Sequence, residues 1–239
     1  MTSAARRGAS IARWFLEWLK SIAIALVVWL FLRTFVVEAF TIPSGSMENT
    51  LLIGDFLFVN KFLYGAEVPL IHTHLPEVRE PERGDILVFD SVEGDGMKIV
   101  KRLIGIPGDT IAMRHGTVYR NGAALDEPYA VSSDPMGSAD LVARARMRDW
   151  QVKHFAGRVP PRYDPDLHDW GPVIVPHDSL FVMGDNRDDS YDGRYWGFLP
   201  RANVLGRPLL VYFSYNPESL RKMAFLTRVR WNRLFTVPR

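Results

Sequence analysis

A lysine on the apolar face of a predicted strand is the feature that most constrains how this chain can fold. Lys101 lies in the run MKIVKRLI (97–104), whose side chains alternate between two faces if the run forms a β-strand, with Arg102 opposite. The predicted neighbours of Lys101 on its own face are Met97, Ile99 and Leu103. Burial lowers a lysine pKa, by up to about 3–5 units when it is complete, and a neutral amine is a general base. The alternative is a lysine whose stem lies along the core while its ammonium reaches water.

A general base requires a nucleophile, and a serine turn in the sequence offers a hydroxyl for this role. The sequence contains no cysteine, which excludes thiol nucleophiles, disulfides and zinc–thiolate sites. The turn PSGSM (43–47), just downstream of an apolar segment, supplies serine. The six histidines have no metal-ligand spacing and the net charge is only +2, so we expect no metal, no cofactor and no nucleic-acid partner.

Three interpretations compete for the N-terminus, where arginines precede the apolar run SIAIALVVWLFL (21–32). It could be a cleaved signal peptide, a buried helix of a soluble domain, or an uncleaved membrane anchor. We favour the anchor because apolar residues flank the run on both sides, although Glu17 is unfavourable in lipid. The flanking residues are Trp14, Phe15, Leu16, Trp18 and Leu19 upstream and Phe35, Val36 and Val37 downstream.

The distribution of positive charge predicts the orientation of that anchor. Arg6, Arg7 and Arg13 all precede the apolar run. By the positive-inside rule, this end stays in the cytoplasm. Residues after about 38 would then lie outside the cytoplasm.

Short apolar runs separated by turn signals predict a mainly β fold with antiparallel pairing. Runs typical of strands occur at 56–59, 86–89, 97–104, 110–113, 117–119, 173–175, 179–183 and 209–213. We interpret 114–172, which has weak structure signals apart from a short helix predicted at 139–148, as an inserted region. The tail, 216–239, mixes basic and aromatic residues, and two interpretations stay open: it lies on an anionic bilayer surface, or it forms a terminal strand with a solvated edge.

The loop GDNRDDSYDGRYWG (184–197) is dense in polar groups and directly follows a predicted strand. A calcium loop is excluded, because its twelfth position needs a glutamate and Leu199 stands there. A solvated acidic turn would explain neither the two arginines nor Tyr195 and Trp196. A polar network that fixes a neighbouring site explains all of them, since buried polar groups need partners. Within it, Ser190 offers a hydroxyl that could orient a neutral lysine amine.

Five motifs, in their order along the chain, resemble those of the bacterial type I signal peptidases. They are PSGSM followed by TL (43–51), GDFLFVNKF (54–62), RGDILVF (83–89), KRLIGIPGD (101–109) and GDNRDDSYDGRYWG (184–197). The resemblance covers about residues 36–113 and 173–215, together with the anchor. The sequence departs from the family pattern at Asn49, where proline is usual, and at Gly193, where many members have serine.

The resemblance implies a membrane-bound serine endopeptidase that removes signal peptides from exported preproteins through an acyl-enzyme. Ser46 would be the nucleophile and Lys101 the general base, while the Ser44 hydroxyl and the Ser46 backbone N–H would bind the oxyanion. Two rival functions are a self-cleaving repressor of similar core fold, which predicts a DNA-binding N-terminal domain, and a membrane-tethered β-rich scaffold without catalysis.

The resemblance also implies supporting residues around this pair. Ser190 would hydrogen-bond Lys101. Asp185 and Arg102 would be partners across the site. Asp192 and Arg194 would support the site from the same loop.

The expected fold is mainly β: an antiparallel β-sheet or partial-barrel catalytic core with an inserted smaller region, preceded by one N-terminal transmembrane helix. Its predicted segments are a cytoplasmic N-terminus (1–13), a transmembrane anchor (14–37), a catalytic β core in two parts (38–113 and 173–215), a variable insert (114–172) and a basic C-terminal tail (216–239). The expected location is the bacterial cytoplasmic (inner) membrane, with the catalytic domain extracytoplasmic. The expected partners are preprotein signal peptides and the lipid bilayer.

Overall fold

Strands make up most of the structure, a computed structural model that describes residues 3–31, 37–65, 67–68, 73–74, 76–132, 139–217 and 223–239. The described strands are β1 (Val37–Thr41), β2 (Asp55–Asn60), β3 (Glu67–Val68), β4 (Thr73–His74), β5 (Ile86–Asp90), β6 (Lys98–Gly105), β7 (Thr110–Arg114), β8 (Thr117–Arg120), β9 (Ala123–Ala124), β10 (Trp170–Ile174), β11 (Ser179–Met183), β12 (Leu199–Pro200) and β13 (Val204–Ser214). The described α-helices are α1 (Ser3–Phe31), α2 (Leu141–Lys153), α3 (Gly193–Trp196) and α4 (Ala224–Thr227).

A seven-stranded sheet carries β6 near its middle. The strand order is β1-β2-β13-β5-β6-β11-β12, and every pairing between these neighbours is antiparallel. The prediction of a mainly β, antiparallel fold is therefore confirmed. Among the described strands, β1 and β12 form the two edges, so the sheet is not closed into a complete barrel. On β6, Lys101 lies opposite Leu87 of β5, and Arg102 lies opposite Met183 of β11.

The region predicted as an insert shares its core with the rest of the protein. A second sheet, β10-β7-β8-β9, includes strands from both sides of the predicted boundary at 114. Helix α2 extends five residues beyond the predicted end at 148, and Asp140 caps it by accepting from the Ala143 N–H at 2.8 Å. Met147 of α2 and Trp170 of β10 pack in one apolar cluster with Phe181 of β11. Residues 133–138 of the predicted insert lie outside the described part.

Helix α1 presents apolar side chains that no other described element covers. Its side chains from 14 to 30 are all exposed, including Trp14, Trp18 and Trp29. Within the described residues, no helix combines the length and the apolar character needed to cross a bilayer. Phe35 and Val36, predicted to extend the apolar surface, lie outside the described residues, and Val37 pairs with Asn60 as the first residue of β1.

The basic tail folds back onto the seven-stranded sheet. The Arg233 guanidinium forms an ion pair with Asp55, whose side chain is fully buried, and donates to the Thr50 carbonyl at 3.0 Å. The Val211 N–H donates to the Thr236 carbonyl at 2.9 Å. The described tail contains short helical turns and single backbone contacts, so the terminal strand considered above is not formed there. Arg221 and Lys222 lie outside the described residues.

Because this ion pair joins the tail to the core, Arg233→Ala is expected to lower the free energy of unfolding. The substitution leaves the buried Asp55 carboxylate without its charged partner, which typically costs about 3–5 kcal/mol when both groups are buried. Arg233 retains some exposure, so we expect about 2–3 kcal/mol after screening by solvent. Urea unfolding of the full chain, followed by tryptophan fluorescence, measures the change.

The matched control for this prediction is Arg228→Ala, which removes an exposed arginine of the same tail. Its expected effect is within about 0.5 kcal/mol of zero, as for most surface substitutions. Equal effects of the two substitutions would contradict the role assigned to Arg233.

Candidate active site

The candidate nucleophile lies in a tight turn that directs its hydroxyl at β6. Residues Gly45–Met47 form a single 3₁₀ turn, and all three are buried. The Ser46 carbonyl accepts from the Asn186 N–H at 3.1 Å, which joins the turn to the 184–197 loop. That contact needs a glycine at 184, since a Cβ there would lie 2.5 Å from the Ser46 carbonyl oxygen.

The Lys101 amine and the Ser46 hydroxyl are in direct contact. Lys101 Nζ donates to Ser46 Oγ at 2.6 Å, although the two residues are 55 positions apart in the sequence. The lysine is only 4% exposed, so its head group lies inside the protein and does not reach water as the alternative interpretation supposed. The pair predicted from the strand and the turn is therefore brought together.

Burial lowers the pKa of Lys101 to about 8. The largest cause is loss of hydration around the ammonium, which the Arg194 guanidinium reinforces and the carboxylates of Asp192, Asp185 and Asp189 oppose. The amine is consequently neutral in a sizeable fraction of molecules near neutral pH, roughly one in ten at pH 7. A neutral amine 2.6 Å from a hydroxyl can accept its proton.

Arg102 is as buried as Lys101, although the strand pattern places it on the opposite face. Its guanidinium binds both oxygens of Asp185 at 2.7 Å, and the two side chains are 3% and 0% exposed. The Tyr129 ring lies over the guanidinium, with its centroid 3.8 Å from Arg102 Cζ. Both faces of β6 are therefore covered, and the predicted pairing of Arg102 with Asp185 is formed.

A second buried ion pair joins Asp192 and Arg194 in the same loop. Both side chains are fully buried, and Arg194 Nε lies 2.9 Å from Asp192 Oδ1. Burial alone would raise the pKa of Asp192, but the Arg194 guanidinium and the Gly184 N–H hold it below its usual range. Asp192 therefore remains an anion beside the Lys101 amine.

Ser190 does not make the hydrogen bond that the resemblance implied. Its hydroxyl is buried and has no hydrogen-bond partner among the described residues. The amine of Lys101 is instead directed at Ser46. The Ser190 hydroxyl lies against Gly184, where a Cβ would approach it to 2.2 Å. The predicted hydrogen bond from Ser190 to Lys101 is therefore not formed.

A cleft of about 400 Å³ opens directly above the pair. Its walls are mostly apolar, and one side carries the exposed residue Ser44, whose hydroxyl lies 3.5 Å from Ser46 Oγ. The cleft is lined by Phe40, Thr41, Ile42, Pro43, Ser44, Ser46, Met47, Met97, Lys98, Ile99, Val100, Lys101, Asp189 and Tyr191. An extended peptide can therefore reach Ser46 between the end of β1 and the start of β6.

Several residues around the site escaped the sequence analysis. Asp189 and Tyr191 line the cleft, and their position inside the 184–197 motif was the available signal. Tyr129 comes from the region taken as an insert, where no motif marked it. Asn49 has a φ of 85°, a conformation closed to proline, and its amide donates to the Tyr129 carbonyl at 3.0 Å. Proline could therefore not adopt the backbone conformation that this chain has at 49.

Comparison with known proteins finds one family whose model matches most of the chain. Residues 15–213 match the family described as "Signal peptidase, peptidase S26". Signal peptidase I of Pseudomonas aeruginosa is 35% identical over 226 residues, covering 89% of this chain and 78% of the relative. The probable signal peptidase I-2 of Synechocystis sp. is 36% identical, covering 83% and 73% respectively. Signal peptidase I of Bacillus licheniformis is 37% identical, covering 84% and 89%.

Proposed function

The chain belongs to the peptidase S26 family of signal peptidases, and we propose that Ser46 and Lys101 carry out its chemistry. It is a serine endopeptidase that removes signal peptides from preproteins. The observation that carries the residue assignment is the 2.6 Å contact between Lys101 Nζ and Ser46 Oγ.

Lys101 acts as the general base in this proposal. A serine hydroxyl is a weak nucleophile until a base removes its proton. The neutral Lys101 amine takes that proton as Ser46 Oγ attacks the carbonyl carbon of the scissile bond. The resulting ammonium can then return a proton to the leaving amine, which completes acyl-enzyme formation, and water hydrolyses the ester.

Ser44 supplies a hydroxyl for the oxyanion in the same proposal, together with the Ser46 backbone N–H. Support comes from its position, since its Oγ lies 3.5 Å from the attacking oxygen. A donor of this kind typically stabilises the transition state by about 2.7–4 kcal/mol. Its exposure leaves the hydroxyl available to a bound substrate.

The cleft favours small apolar side chains next to the cut. It encloses about 400 Å³, and apolar residues of β1 and β6 such as Phe40 and Ile99 line it. Apolar walls disfavour charged side chains because of the cost of their desolvation. We infer that small apolar, alanine-like residues precede the cleaved bond, as the resemblance implies.

Helix α1 is the membrane anchor in this proposal, with the N-terminus in the cytoplasm and the catalytic domain outside it. The support is the exposure of its apolar side chains, among them Ile22, Leu26 and Leu30. Exposed apolar area of this size is unfavourable in water and favourable in lipid. The arginines of its N-terminal part, which precede the apolar run in the sequence, set the orientation. Lipid is therefore a proposed partner of α1.

Removing either member of the proposed pair should abolish peptide cleavage. Ser46→Ala and Lys101→Ala are each expected to lower kcat by about 10⁴-fold or more, and the double variant should be little worse because the two groups act as a unit. Lys101→Arg should be equally inactive, since a guanidinium stays charged. Cleavage of a purified preprotein by the full chain in detergent measures this, with Lys153→Ala on the surface of α2 as the active control. Clear activity of either alanine variant would refute the assignment.

The proposed topology follows from the placement of the arginines before the apolar run of α1. A reporter enzyme that works only outside the cytoplasm should be active when it is fused after Arg239 and inactive when it is fused at Met1. Most of the full chain should remain in the membrane fraction after a carbonate wash. Protease added outside the cytoplasm should digest the domain that carries Ser46. If this domain is protected, as a cytoplasmic domain would be, the proposed location is contradicted.

A further inference from the structure

Tyr191 borders the cleft but has no part in the proton transfers described above. Its ring is 44% exposed and lines the cavity above Ser46 and Lys101. Its chain neighbours Ser190 and Asp192 are buried, so the backbone that carries the ring is fixed on both sides. The ring of Tyr195 packs against it with centroids 5.0 Å apart.

Two groups from distant segments hold the Tyr191 hydroxyl. The hydroxyl donates to Glu93 Oε1 at 2.8 Å, in the turn between β5 and β6. Arg146 of α2 donates from Nη1 to the Tyr191 oxygen at 2.7 Å and from Nη2 to Glu93 Oε1 at 2.7 Å. The three side chains therefore form a closed triangle in which each contacts the other two.

This triangle persists over the pH range in which Lys101 changes its charge. Burial, followed by the bond to Glu93, raises the pKa of Tyr191 to about 12, so the phenol stays a donor. The hydrogen bonds from Tyr191 and Arg146 lower the pKa of Glu93, so this carboxylate stays an acceptor. The arginine remains charged throughout.

The triangle lies at the surface, which argues against a mainly stabilising role. Arg146 is 55% exposed and Glu93 38% exposed, and exposed ion pairs contribute about 0–1 kcal/mol to stability. What the contacts do fix is the direction of the Tyr191 ring. When the hydroxyl of a tyrosine is held by hydrogen bonds, the side chain cannot rotate freely about χ1 and χ2. The ring therefore keeps a fixed position at the edge of the cleft.

We propose that Tyr191 is a specificity-determining residue of the substrate cleft, and that Arg146 and Glu93 are positioning residues that hold its ring at the cleft edge. Helix α2, which lies outside the motifs of the family, thereby takes part in substrate selection. The inference rests on the proposed function, since the occupant of the cleft is the segment of a preprotein around the cleaved bond. Tyr191 excludes bulky side chains at one position of that segment.

The test uses the full chain in detergent and peptides spanning a signal-peptide cleavage site, in which each residue near the cut is changed from alanine to leucine in turn. Tyr191→Ala should relax the rejection of leucine at one position only, raising kcat/KM for that peptide by about tenfold relative to the alanine peptide. Arg146→Ala and Tyr191→Phe, which free the ring without removing it, should relax the same position by a smaller factor. The double variant Arg146→Ala/Tyr191→Ala should match Tyr191→Ala.

The matched control is Arg148→Ala, an exposed arginine of the same helix, which should leave the selectivity unchanged. Three results would overturn the inference. Arg146→Ala could leave the selectivity unchanged, as the control does. Tyr191→Ala could relax the selectivity equally at every position, or the effects of the two substitutions could add in the double variant. A wild-type chain that cleaves none of the peptides, or a Ser46→Ala variant that cleaves them, would instead refute the proposed function itself.

Discussion

The contact between a buried lysine amine and a serine hydroxyl is the interaction on which the rest of this site depends. Lys101 Nζ can lie 2.6 Å from Ser46 Oγ because β6 delivers the lysine from the sheet while a short turn delivers the serine above it. Keeping the amine out of water lowers its pKa to about 8, a shift that corresponds to about 3 kcal/mol against the charged form. The fold provides this free energy, since it leaves the Lys101 side chain only 4% exposed.

Two buried ion pairs adjust the electrostatics around that amine. Asp185 is neutralised by Arg102, and Asp192 by Arg194, so neither carboxylate acts on Lys101 as an isolated anion. An unpaired carboxylate beside the amine would favour the ammonium and return the lysine pKa toward its usual value. The loop that follows β11 thus holds the serine turn in place, and its Arg194 offsets part of the effect that its own carboxylates have on the Lys101 pKa.

The sequence predicted local structure and, with the motif resemblance, two long-range pairs of the site, but it did not predict the contacts that no motif marks. Short apolar runs between turn signals located most strands of the main sheet, and alternation along 97–104, which placed Lys101 on an apolar face, pointed to a buried amine. The same alternation placed Arg102 outward, because no local pattern shows that the loop after β11 would cover that face. The contribution of Tyr129 and the ion pair of Arg233 with Asp55 join segments far apart in the chain, so neither was predictable. The motif resemblance supplied Ser190 as a candidate, but the hydrogen bond that it implied from Ser190 to Lys101 is not formed.

The ionisation of Lys101 is the quantity that tests this account most directly. The full chain in detergent, labelled with ¹³C at the lysine Cε positions, can be titrated by NMR, and the Lys101 signal is identified by its absence in Lys101→Arg. The account predicts an apparent pKa near 8 for this signal, with kcat/KM rising over the same pH interval as the amine loses its proton. A Lys101 signal that titrates near 10.4, the value of an exposed lysine, would contradict the claim that burial creates the base.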